Sequence, residues 1–88
     1  MDSDQLAEER RLFEELNARR AEYKAMEEIH DRAFRNAHAE EHGTPGFLAQ
    51  LKQANEAGEQ AIAALGQYQN AVKALADFYL KNSKSNPR

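Results

Sequence analysis

The residues best suited to chemistry in this 88-residue chain are its three histidines and the carboxylates beside them. His38-Ala39-Glu40-Glu41-His42 sets two imidazoles four positions apart, and on a helix that spacing puts both rings on one face. Two imidazoles so placed can hold a zinc ion while an adjacent glutamate serves as a hydrolytic base. Glu27-Glu28-Ile29-His30 supplies the Glu-x-x-His pair that carboxylate-bridged di-iron bundles turn inward. Each pattern lacks what its chemistry also requires. A zinc hydrolase centre needs a third ligand and a substrate cleft, and a di-metal centre needs inward glutamates from neighbouring helices. The acids of the second half, Glu56, Glu59 and Asp77, fall on the polar face of its heptad pattern. A cation is favoured at a helix C-terminus, which accounts for His42. Filling the space above Gly58 accounts for His30. His38, His42, Glu27 and His30 therefore stand as the candidate metal ligands of a metal-binding helical bundle, the second alternative reading. The chain also has no cysteine nucleophile, no Gly-rich phosphate loop and no serine–histidine–acid set on a rigid frame. No enzyme, catalytic residue or cofactor is expected.

The elements that would carry these residues are helices. Pro and Gly are absent from residue 3 to His42, and Asp2, Ser3 or Asp4 can cap the start of that run. At its end, His42-Gly43-Thr44-Pro45 combines a cation for a last helical turn, a glycine for a left-handed position, an N-cap and a proline at N1. The pattern predicts helix 1 over about 3–42, a turn at 42–45 and helix 2 over about 45–82, all in a single domain (1–82). So short a turn makes the two helices antiparallel neighbours. Residues 83–88 read as a disordered tail.

Charge divides at the same place. Residues 1–44 carry twelve acidic and seven basic side chains, whereas residues 45–88 carry three and five. The first helix is a charge-laced surface element with an apolar stripe (Leu12, Leu16, Tyr23, Met26, Ala33, Ala37) interrupted by Glu9, Arg19 and His30. Arg19 on that stripe resembles the polar core residues that set register or oligomer state, and the favoured alternative is that it reaches out to a carboxylate such as Glu15. The net charge of −3 gives no global attraction to nucleic acid or anionic lipid. With no basic-then-apolar leader and no run of about 18 apolar residues, the expected compartment is the cytoplasm.

Helix 2 carries the strongest pattern. Phe47, Leu51, Ala54, Gly58, Ala61, Leu65, Tyr68, Val72, Leu75 and Tyr79 succeed one another by alternating steps of four and three, all apolar or glycine. This 3.5-residue period predicts packing against other helices along the whole length. Leu48, Ile62 and Ala76 widen the face on one side, and Ala57, Ala64, Ala71 and Phe78 on the other. A face this wide exceeds what one helix covers. A cysteine-free chain of this size also gains burial by oligomerising. The fold predicted is an all-α antiparallel hairpin dimerising into a four-helix bundle. Breaking helix 2 at Gly58 or Gly66 gives the alternative, a three-helix bundle.

Leu51, Gly58, Ala61, Leu65, Tyr68 and Val72 are assigned to self-association, and Phe78 and Tyr79 to contact with a further partner. Pro45-Gly46-Phe47-Leu48-Ala49-Gln50-Leu51 resembles the turn and second-helix start of type III secretion needle subunits, also helical hairpins of about this size. The likeness covers seven residues, and helix 1 departs from it in being more charged and longer. The function expected is a non-enzymatic protein–protein interaction module: a small adaptor, chaperone or inhibitor that pairs with itself and presents a helical surface to a larger protein. A subunit or co-chaperone of a secretion or filament assembly is the first alternative. Membrane and nucleic-acid partners are not expected.

Overall fold

Asp2 and Gln5 open the first helix with a reciprocal cap. The Gln5 N–H donates to Asp2 Oδ1 and the Asp2 N–H to Gln5 Oε1, both at 2.9 Å, so two amides left over at the helix start are satisfied. The computed structural model describes residues 1–84 and contains two helices, α1 (Ser3–Ala39) and α2 (Pro45–Lys84). They pack against each other as an all-α antiparallel hairpin measuring 65 × 17 × 14 Å. Its radius of gyration is 19.6 Å, whereas a globular domain of this length has about 12 Å.

The connection differs from expectation at one end. α1 stops at Ala39, not His42, because Glu40 turns to extended backbone (φ −89°, ψ 152°). A separate turn follows, closed by the Thr44 N–H donating to the Glu41 carbonyl at 3.3 Å, with Gly43 at φ +84°. Gly43 takes positive φ as anticipated, but as the third residue of that turn and not as the residue closing α1. Thr44 caps α2: its Oγ1 accepts from the Phe47 N–H at 3.2 Å. α2 then runs unbroken through Gly58 and Gly66 to Lys84, so the three-helix alternative is not what forms. Of the predicted tail, Ser83 and Lys84 extend the helix, and residues 85–88 lie outside the described residues.

Each helix keeps one seam of alternating four- and three-residue steps. On α1 it runs from Gln5 through Leu12, Arg19, Met26 and Ala33 to Ala37, and every partly or fully buried residue of α1 lies on it. That is the stripe read from the sequence, interruptions included. On α2 the seam is rotated by one position from the pattern read there. It runs from Gln50 through Ala57, Ala64, Ala71 and Phe78 to Asn82, sharing only Ala54, Ala61, Tyr68 and Leu75 with the expected line. Six of the eight buried apolar residues are alanines, four of them on α2. The reason is steric. A stripe of methyl groups lets α1 come close and lay Leu12, Leu16, Tyr23 and Met26 across it, whereas Leu51, Leu65 and Val72 would hold the helices apart. The larger residues are turned outward instead.

Candidate interaction face

The two sides of the hairpin flanking this seam are unlike. On one, Arg19 reaches from the seam to Glu15 (2.7 Å), Glu22 (3.1 Å) and, across to α2, Gln67 Oε1 (2.8 Å). Hydrogen bonds to Glu15 and then Glu22 raise the Arg19 pKa, so the guanidinium stays charged and polar contacts bridge the helices on this flank, beside a groove lined by Leu12, Ala71 and Ala74. Arg19 thus behaves as the sequence suggested, as a side chain leaving the seam for a carboxylate.

The other flank is apolar along α2 and mixed along α1, where Arg20 and Glu27 separate the aromatic residues. α1 contributes Phe13 and Phe34, and α2 contributes Leu51, Ile62, Leu65 and Val72. Gly58 lies midway, and shallow grooves to either side of it are lined by Phe34, Leu51 and Ile62 on one side and by Tyr23, Glu27 and Leu65 on the other. Ile62 is 73% exposed and Val72 45%, although both sit on the hydrophobic side of α2. His30 forms the ridge between the grooves, its ring over Gly58.

Of the six residues assigned to self-association, Leu51, Gly58, Leu65 and Val72 share this flank. Ala61 and Tyr68 belong to the intramolecular seam, where Tyr68 stacks on Tyr23 with ring centroids 6.2 Å apart. Phe78, assigned with Tyr79 to partner contact, is corrected outright. It is 5% exposed because it is the last large apolar side chain of the rotated seam. Tyr79 does lie outside, and its hydroxyl donates to Glu9. That hydrogen bond, chiefly, raises its pKa, as Glu27 does for Tyr23. Ile62, Phe13 and Phe34 are exposed apolar side chains of this flank that the assignment left out. Their signal in the sequence was apolar type at a position flanking the seam.

The candidate metal ligands are not brought together. With α1 ending at Ala39, His38 and His42 do not share a helical face: His38 packs edge-on to Phe34 and His42 against Phe47. Glu27 and His30 do lie one turn apart beside the grooves. Among the described residues no group of three or more His, Cys, Asp or Glu is placed to hold a metal ion. Nor is any helix there long and apolar enough to cross a membrane. No protein-family model matches this chain, and neither a curated protein nor a solved structure matches it.

Proposed function

We propose that this chain is a non-enzymatic protein–protein interaction module that self-associates through the apolar flank of its hairpin to form a four-helix bundle. The observation that carries this reading is the one-sidedness of the molecule. On one flank Arg19 bridges the two helices through Gln67, while the other presents branched and aromatic side chains from both helices to water. The surface area is large for the mass. The chain exposes 6730 Å², whereas a folded monomer of its 10.0 kDa exposes about 5,200 Å². The excess of about 1,500 Å² follows from the elongated shape, and a second hairpin laid along the flank would cover part of it. Pairing flank to flank leaves the charged outer surface of α1 free, and there an adaptor, chaperone or inhibitor would meet its larger protein partner. The cytoplasm is the compartment assumed.

Light scattering with size-exclusion chromatography tests the reading. The native chain is expected at twice its 10.0 kDa mass, and Leu65→Asp or Ile62→Asp at the single mass with helicity retained. A native chain that runs as a monomer at micromolar concentration overturns it.

A further inference from the structure

On the reading that this flank pairs with a second copy, we infer that the two hairpins stack antiparallel about a twofold axis level with residues 23–24 of α1 and 63–64 of α2, with Arg20 of each protomer paired to the partner's Glu27. Arg20 and Glu27 are the two charged residues among five on the apolar edge of α1, in the order Leu6, Phe13, Arg20, Glu27, Phe34 at seven-residue spacing. This order is self-complementary when read backwards. An axis midway between Arg20 and Glu27 sets each Arg20 against the partner's Glu27 and each Phe13 against the partner's Phe34. Sliding the partner by one heptad in either direction sets Arg20 against Arg20 or Glu27 against Glu27, which like-charge repulsion disfavours.

α2 gives an independent check. Within the hairpin Gln5 is level with Asn82, Arg19 with Gln67 and His30 with Gly58. The axis found on α1 therefore crosses α2 between Ile62 and Leu65. That is the centre of its exposed apolar strip, where Ile62, 73% exposed, would meet the partner's Leu65. On either side, large residues meet small ones: Leu51 faces the partner's Ala76, and Gln69 covers the partner's Gly58. The competing arrangement, with both turns at the same end, places Arg20 against the partner's Leu65 and leaves two charges without partners in an apolar interface, which is costly. Lys24 falls level with the axis on the outer rim, where its long stem carries the ammonium to solvent. Glu27 has two oxygens, so it can serve both the Tyr23 hydroxyl and the partner's Arg20.

Charge reversal and a distance measurement test this. Arg20→Glu and Glu27→Arg are each expected to weaken dimerisation about tenfold, because every homodimer then holds two like-charge pairs. An equimolar mixture of the two variants should dimerise as well as the native chain, since both heterodimer pairs become attractive again. The chain has no cysteine, so Glu41→Cys gives one labelling point, exposed and beside the turn. Spin labels there should lie roughly 50 Å apart in the antiparallel dimer, at about 1.5 Å of rise per residue from the axis. A dimer with labels closer than about 30 Å, the diagonal of a bundle of ~10 Å helices, overturns the orientation while leaving self-association standing. Single charge variants that dimerise like the native chain overturn the Arg20–Glu27 pairing. A native chain that never dimerises overturns the functional reading as well.

Discussion

The His30 imidazole lies directly over Gly58: a β-carbon built on that glycine would stand 3.3 Å from both Cδ2 and Nε2 of the ring. A glycine inside a 40-residue helix is unfavourable by about 1 kcal/mol relative to alanine, so close packing of the histidine must offset part of that. His30 also neighbours Asp31 and the Phe34 ring, but its side chain remains 39% exposed. It can therefore yield by a few tenths of an ångström. Gly58→Ala is expected to stabilise the protein, but by only about 0.5 kcal/mol, because movement of the ring takes back part of the helix-propensity gain. Urea denaturation at one fixed protein concentration reads it, and a loss of more than that amount would show that the ring cannot move.

Two other glycines separate backbone from packing. A β-carbon at Gly43 or at Gly66 meets nothing within 4 Å. Gly66 has helical backbone, so Gly66→Ala should stabilise by about 1 kcal/mol. Gly43 sits at φ +84°, so Gly43→Ala should destabilise by about 1 kcal/mol. Thermal melts of the two variants, run beside the native chain, should move in opposite directions.

Phe78 and Leu80 are near neighbours with opposite surroundings. Phe78 closes the end of the seam at 5% exposure, and Phe78→Ala should cost about 3 kcal/mol. Leu80 is an exposed side chain on the far side of the helix, and Leu80→Ala should change stability by no more than about 0.5 kcal/mol. Equal losses in chemical denaturation would contradict the rotated seam.

Glu9 and Tyr79 predict an alkaline dependence. The phenol donates to the carboxylate, and this raises its pKa above the ordinary 10.0. The folded value then exceeds the unfolded one, so the contribution is whole below about pH 10 and lost as pH rises through the raised value. Ultraviolet titration of the folded protein should show a late-ionising tyrosine that Glu9→Gln brings back toward the ordinary value. Tyr79→Phe should flatten the loss of stability above about pH 10. No difference between native and Glu9→Gln titrations would count against the hydrogen bond.

Much of the hairpin was legible because its signals are local. Gly43, Thr44 and Pro45 mark the reversal by backbone chemistry that needs no tertiary context, and the α1 stripe from Leu12 to Ala37 emerges intact with its polar interruptions in place. α1 ends three residues before the His42 that its turn residues point to. Gly43 can serve a helix terminus or a tight turn with the same positive φ, and the extended backbone at Glu40 that decides between them has no marker in the side chains.

The face of α2 was harder. Two lines of 3.5-residue period run side by side along it, sharing Ala54, Ala61, Tyr68 and Leu75, and periodicity alone ranks the one with leucine and valine first. Close approach ranks them the other way, since only the alanine line admits the large side chains of α1.

The chain by itself therefore determined two antiparallel helices, the place of their reversal and an apolar excess on the second, because capping residues, turn glycines and hydrophobic period act within a few positions of each other. Tertiary structure alone decided which stripe α1 covers, that Phe78 is inside and Ile62 outside, and that the apolar edges of both helices share one flank. Those outcomes depend on how near two helix axes can come, a property of the pair that neither helix carries alone.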